Sequence, residues 1–281
     1  MTAIDPNHLL DILRQAAVVI NEVYATPFDV AYKGPGDPVT LADRRANDLI
    51  VSLLEAAYPG VPIVAEESDA SRYAHFRGAE TIFFVDPLDG TREFVKRNGE
   101  FVTMVGVVEN ERPTIGVILR PTTAEACVGV VGQGTKCVRP DGTWTPARVS
   151  STDRLAEARL VASRSGDQSR YELAQQKLGV HTITPLGSAG MKGLAIARAE
   201  ADAYVAPFYA GKRWDACALE AVVVAAGGHV TDAHGEPLDY RGPSLVNDRG
   251  IICSGKRLHE KLVAVLERER QPGGILQRDT T

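Results

Sequence analysis

The segment Asp86-Pro87-Leu88-Asp89-Gly90-Thr91 has the residue types and spacing to do chemistry. It follows Thr81-Ile82-Phe83-Phe84-Val85, an apolar, β-branched and aromatic run that reads as a buried strand. Two carboxylates three positions apart at a strand's end can face one hard cation. Cations of the Mg²⁺ type take oxygen ligands and complete their shells with water and substrate phosphate. The Gly90 and Thr91 amides would cradle an anion if they open a helix. A turn is the competing reading, because Pro, Asp and Gly punctuate loops in any case.

Other elements must hold this segment in place. Asn7 to Tyr24 carries apolar residues at helical spacing, which predicts an amphipathic helix. A Gly/Pro-rich loop, Lys33-Gly34-Pro35-Gly36-Asp37-Pro38, separates it from a second helix over about 41–58. Thr40 and Asp43 have capping-box spacing, and Pro59-Gly60 stops that helix. Strands are expected over 61–65, 81–85, 102–108, 114–119 and 124–131, with a hairpin link at 109–113. Around 140–152 the composition turns to Pro, Gly, Ser and Thr, which places a domain boundary near 150. Strands at 159–162, 180–184, 203–206 and 251–253 then alternate with helices at 168–178, 189–199, 215–226 and 256–268. That alternation predicts an α/β second half. The tail from Gln271 is expected to fray.

At 281 residues the chain can bury a large core. Its 44% hydrophobic and 24% charged content is that of a globular protein, and its net charge of −5 argues against a nucleic-acid polymer as partner. A phosphate substrate would have to be held by local cations and metal. No apolar leader opens the chain and no run reaches membrane-spanning length, which predicts a cytoplasmic protein. Cys127, Cys137, Cys217 and Cys253 lack CxxC or His-paired spacing, so they are expected as four reduced thiols and not as a zinc site. His75, His181, His229 and His234 have no ligand spacing either.

Three further segments accompany the central one: Asp37-Pro38-Val39-Thr40-Leu41-Ala42-Asp43, Val64-Ala65-Glu66-Glu67-Ser68 and Trp214-Asp215-Ala216-Cys217-Ala218. Together the four resemble the motifs D-x-V-T-x-A-D, G-E-E-S, D-P-L-D-G-T and W-D-x-x-A of the Mg²⁺-dependent, lithium-sensitive phosphomonoesterases, the inositol monophosphatase superfamily. Ala65 stands where Gly is usual. The resemblance covers residues 5 to 268. It implies a layered α-β-α-β-α sandwich of the sugar-phosphatase type. An α+β portion (1–150) would carry most metal ligands, and an α/β portion (151–281) the substrate pocket and Asp215. Homodimers are common in that superfamily.

No phosphoenzyme nucleophile is evident: there is no R-H-G histidine and no C-x₅-R. Clustered carboxylates suit metal-assisted attack by water. The resemblance implies that Glu66, Asp86 and the Leu88 carbonyl hold one Mg²⁺, and that Asp86, Asp89 and Asp215 hold a second. Glu66 would support a third ion loosely through water. Four carboxylates balance two divalent cations, and without metal they repel and raise one another's pKa. Thr91 would orient the attacking water, with Asp43 polarising its hydroxyl. The plainer readings are a helix cap for Thr91 and a capping-box acid for Asp43. Glu67 reads equally as an orienter of metal-bound water or as a solvated acid.

The second half chooses the ester. Ser163-Arg164-Ser165, Gly187-Ser188-Ala189-Gly190-Met191-Lys192 and Lys212-Arg213-Trp214-Asp215 resemble elements of the 3′(2′),5′-bisphosphate nucleotidases. The stretch 92–101 is similar to the bacterial branch of that group. This implies nucleotide contacts from Ser163, Ser188 and Lys192 beside Gly90 and Thr91, and hydrolysis of the 3′-phosphate of adenosine 3′,5′-bisphosphate or its phosphosulfate analogue. Such an enzyme would clear a by-product of sulfate activation. Gly166 departs from the group, which has His there. Inositol monophosphatase is the alternative, followed by fructose-1,6-bisphosphatase. Arg213 speaks against the former, which often carries an acid before W-D. A non-catalytic nucleotide sensor would require loss of Thr91, Asp43 or a ligand, and all are present.

Overall fold

The computed structural model describes residues 3–164, 176–271, 274 and 276. Helices α1 (Pro6–Tyr24) and α2 (Leu41–Ala57) stand where apolar periodicity places them. Asp5 caps α1 by accepting from Asn7 N, and Pro6 occupies a first-turn position where no amide is needed. The segment between them is a hairpin, not the expected loop: β1 (Val30–Gly34) pairs antiparallel with β2 (Asp37–Thr40). Its turn is Pro35-Gly36, with Gly36 at φ 69°, the pair a type II turn requires.

The main sheet runs in the order β3-β4-β5-β6-β7-β8-β9. Its strands are β3 (Ile63–Ala65), β4 (Thr81–Asp89), β5 (Val102–Glu109), β6 (Arg112–Leu119), β7 (Ala126–Val130), β8 (Gly134–Val138) and β9 (Trp144–Ala147). Only β3 and β4 pair in parallel. Strand β4 continues through the acidic segment, and its register against β5 slips between Asp86 and Asp89. Helix α3 (Thr91–Val95) follows at once. The second sheet has the order β11-β10-β12-β14-β13, from β10 (Arg159–Ser163), β11 (Thr182–Leu186), β12 (Ala203–Ala206), β13 (Gly228–Thr231) and β14 (Ile251–Gly255). Residue 150, the expected boundary, falls between the sheets. Strands β8, β9 and β13 are short and were not anticipated from periodicity.

Helices α1 and α2 cover one face of the large sheet. Helices α4 (Ala189–Ala197) and α5 (Arg213–Ala225) lie between the sheets, and α6 (Lys256–Arg270) covers the far face of the second. The expected α-β-α-β-α layering is the observed one. Helix α5 presses unusually close to the large sheet. Gly106, Gly116 and Gly129 stand side by side on β5, β6 and β7. A Cβ on Gly106 would lie 2.5 Å from Cys217 Sγ, one on Gly129 2.6 Å from Val222 Cα, and one on Gly116 would strike the Ala218 carbonyl.

The thiol expectation needs correction. Cys127 and Cys137 occupy paired positions on β7 and β8 and form a disulfide, whereas Cys217 and Cys253 are free and buried. Cross-strand register, which spacing along the chain does not reveal, brings the two together. No described helix is long and apolar enough to cross a membrane. Ser165, Gly166, most of the expected helix 168–178 and much of the tail lie outside the described residues.

Candidate active site

Two strand ends and two helix starts converge on one cavity. Ala65 pairs with Val85 across parallel strands, so Glu66, leaving β3, stands beside Asp86 on β4. Asp89 ends β4. Asp215 enters from α5, where its carboxylate accepts from the Lys212 amide and so caps that helix. Gly211, at φ 71°, makes room: a Cβ there would collide with the Asp215 carboxylate. One carboxylate oxygen from each of Asp86, Asp89 and Asp215 lies within 4.8 Å of the others.

Such crowding is costly without a cation. Burial first, then Glu66, Asp89 and Asp215, push the Asp86 pKa well above its ordinary value. Burial, Asp89 and Glu66 raise Asp215 to about 7. Asp86 Oδ1 accepts from Leu88 N (3.1 Å), but its Oδ2 is buried with no hydrogen-bond partner. A buried, unpartnered carboxylate oxygen facing two further carboxylates fits a hard divalent cation.

Glu66 and Glu67 share a cation that the sequence reading missed. Lys33 Nζ, from the β1–β2 hairpin, donates to Glu66 Oε1 (2.8 Å) and Glu67 Oε1 (2.6 Å). Burial raises the pKa of both glutamates, and Lys33 opposes the rise. Glu67 is therefore an ion-paired acid and not a solvated one. The signal was present in the Pro-Gly turn flanked by Val-Ala-Tyr-Lys and Asp-Pro-Val-Thr.

Asp43 serves both of its candidate roles at once. Its Oδ2 accepts from Thr40 N (2.8 Å) and Thr40 Oγ1 (2.6 Å), closing the capping box. Its Oδ1 accepts from Thr91 Oγ1 (2.8 Å). Burial raises the Asp43 pKa, and the bonds from Thr40 and Thr91 pull against it. Thr91 is not a cap: Gly90 holds that position at φ 100°, where a Cβ would lie 3.0 Å from Glu100 O. The Thr91 hydroxyl has one proton, and Asp43 is nearer than the Leu88 carbonyl at 3.2 Å. With that proton given to Asp43, Thr91 Oγ1 is left as an acceptor.

The cavity holds about 500 Å³ and is lined by Glu66, Asp89 and Asp215 together with Ser163, Ser188 and Lys192. A larger hollow of about 650 Å³ between α1, the hairpin and α2 has no such cluster. Ser188 and Lys192, expected as nucleotide contacts, are already engaged. Ser188 Oγ and Gly190 N donate to Asp89 Oδ2 at 2.5 and 2.6 Å. Lys192 is buried and donates to the carbonyls of Leu186 and Ser188, with its Nζ 5.1 Å from the Tyr204 ring centre. Burial lowers its pKa to about 8 against the pull of Asp89 and Glu93. Arg164 turns from the cavity to grip Glu100 (2.9 and 2.6 Å), whose Oε2 also accepts from Gly187 N. Arg213 is directed to Asn247 and away from the substrate side. Lys212 and Tyr209 do line the cavity, and the Tyr209 ring is 62% exposed.

Comparison with known proteins identifies the family of the chain. A family model described as the inositol monophosphatase family matches residues 7–271. The chain is 33% identical over 239 residues to the 3′(2′),5′-bisphosphate nucleotidase CysQ of Escherichia coli O157:H7, covering 83% of this chain and 93% of that protein. Among solved structures it is similar to the extragenic suppressor protein suhB of Bartonella henselae (TM-score 0.78, 25% identity, 93% and 98% of the two chains). It is also similar to CysQ of Bacteroides thetaiotaomicron, a bacterial member of the inositol monophosphatase family (TM-score 0.72, 29% identity, 90% and 97%).

Proposed function

This chain belongs to the inositol monophosphatase family and is a phosphatase of that family, and we propose that it hydrolyses the 3′-phosphate of adenosine 3′,5′-bisphosphate to give AMP and phosphate, with the phosphosulfate analogue as a second substrate. One observation carries the reading: a single cavity joins the carboxylate cluster to Lys212 and the exposed Tyr209 ring. A bisphosphate nucleotide brings a second dianion and an aromatic base, which a lysine and an open ring suit. The nucleotidase activity in the name of the E. coli relative supports the same substrate.

Glu66, Asp86, Asp89, Asp215 and the Leu88 carbonyl would hold two Mg²⁺, with Glu66 supporting a third. The ions supply charge neutralisation at the phosphate and a lowered pKa for water. The remaining work falls to the chain. Thr91 Oγ1, whose proton is held in the hydrogen bond it donates to Asp43, accepts a hydrogen bond from the attacking water and so directs the water's lone pair at phosphorus. As the water loses that proton to Thr91 Oγ1, the threonine proton can pass to Asp43, whose raised pKa suits it to receive one. Glu67 orients solvent at the same end. Ser188 fixes the rotamer of Asp89. The Gly90 and Thr91 amides and Ser163, which line the cavity, would meet substrate oxygens.

The alternative is an inositol monophosphatase. Ser188 and Lys192 are engaged within the protein, and Arg213 does not reach the cavity, so none of these three discriminates. Phosphate release from adenosine 3′,5′-bisphosphate, inositol 1-phosphate and fructose 1,6-bisphosphate at equal concentration with Mg²⁺ decides between the readings. A preference of about a hundredfold for the nucleotide is expected, of the size that a matched polar contact provides. Preference for inositol 1-phosphate overturns the nucleotide reading and leaves the metal centre standing.

A further inference from the structure

Among the described residues, Lys33, Arg92, Lys192 and Lys212 stand about the site, and the first three are committed. Lys33 bridges Glu66 and Glu67. Arg92 donates through Nε and Nη2 to Gly36 O on the hairpin tip (2.8 and 2.5 Å). Lys192 is enclosed by two carbonyls and the Tyr204 ring. Lys212 differs. Its ammonium lies 4.9 Å over the Trp214 ring, and among the described residues it donates to no carboxylate or carbonyl. An aromatic face beneath a lysine fixes its direction without using its three N–H donors.

Its position is as informative as its lack of acceptors. Lys212 precedes α5 by one residue, and its amide donates to Asp215, so its backbone is tied to the carboxylate cluster. Its charge acts on Glu66 across the cavity, yet the pairing with Glu66 is made by Lys33. Tyr209, an exposed residue, lines the same cavity. A lysine with three open donors, a short way from a centre that takes one phosphate, provides what a second phosphate requires.

We propose that Lys212 is the specificity-determining cation of this site and receives the non-reacting phosphate of a substrate that carries two. The inference rests on the nucleotidase reading and sharpens it by naming Lys212 as the cation that the second phosphate meets. The neighbouring Arg213 does not share the role, since its guanidinium is turned to Asn247.

The test compares the full-length protein with Lys212→Met, which keeps the stem over Trp214, and with Lys212→Arg. Lys212→Gln serves as a second neutral variant if Lys212→Met melts early. Each is assayed with Mg²⁺ on adenosine 3′,5′-bisphosphate and on adenosine 3′-monophosphate, which lacks the second phosphate. Lys212→Met should raise KM for the bisphosphate by about 30-fold, the loss expected for one charge-assisted hydrogen bond. Its loss on the monophosphate should be about tenfold smaller, and Lys212→Arg should restore most of the difference. Equal losses on both substrates would mean that Lys212 serves the scissile phosphate or the carboxylates, and no loss on either would remove it from recognition; each overturns the inference. If the wild type prefers inositol 1-phosphate, the nucleotidase reading falls by itself. Fructose 1,6-bisphosphate against fructose 6-phosphate then tests Lys212 separately: a selective loss on the bisphosphate keeps the inference, and its absence overturns it.

Discussion

At the scale of single residues, Asp43 and Thr91 show how one acid serves fold and chemistry together. The two oxygens of Asp43 are divided, one to the amide and hydroxyl of Thr40 and one to the hydroxyl of Thr91. Thr91→Val keeps the shape and removes the acceptor for water. Turnover should fall by about 10²- to 10³-fold, with a stability change of only about 1 kcal/mol. Steady-state kinetics beside a thermal melt checks this, and a large melt shift with little loss of turnover would return Thr91 to a structural role. Both residues were legible because each sits in a short motif whose spacing has a local meaning. The bond from Ser188 to Asp89 was not legible, because the two are 99 positions apart and local spacing carries no trace of it. Lys33 escaped notice for a related reason. Its partners Glu66 and Glu67 depend on a hairpin that was read as a loop.

At the scale of elements, the two long N-terminal helices and the apolar strands were readable because burial on one face imposes a period. Strands β8, β9 and β13 were not, since each is short and mixes exposed positions into its run, unlike the equally short but wholly buried β12. The seat of α5 was invisible for a different reason. Gly106, Gly116 and Gly129 look unremarkable in sequence and become a groove only once the register of three strands aligns them. The helix they admit delivers Asp215 and Lys212. Gly116→Ala would drive a methyl group into the Ala218 carbonyl, so α5 must lift or the sheet must bend. A destabilisation of about 1–3 kcal/mol is expected for overpacking of this kind. Activity should fall further than stability predicts, because the displacement moves one carboxylate relative to two others. A variant with full activity and a wild-type melting temperature would show that the groove is looser than its geometry implies.

At the scale of the whole molecule, opposing titrations fall in two different layers, the outer helix α6 and the helix α5 between the sheets, and metal acts on one of them. His259 on α6 is buried beside Thr231 and Ser254. Burial, then His229, lowers its pKa from 6.5 to about 4. Its neutral form is the folded one, so stability is present above 6.5 and is lost as pH falls from 6.5 toward 4, by about 3 kcal/mol. Asp215 has the opposite sign. Its folded pKa, about 7 against 3.8, means that the metal-free fold retains a proton the unfolded chain has released. Stability is therefore lost as pH rises from 3.8 through 7, and Asp86 shifts the same way. With metal removed by a chelator, the two effects oppose each other between 4 and 6.5 and only the carboxylate loss continues above. Mg²⁺ at about 100 times its Kd should add about 2.7 kcal/mol by linkage. That gain should grow with pH, because protons and metal compete for the same oxygens. Melting temperatures with and without Mg²⁺ should thus diverge steadily from pH 5 to pH 8, while His259→Gln flattens the acid limb of both curves equally. Parallel curves across that range would mean that the three aspartates do not hold the ion.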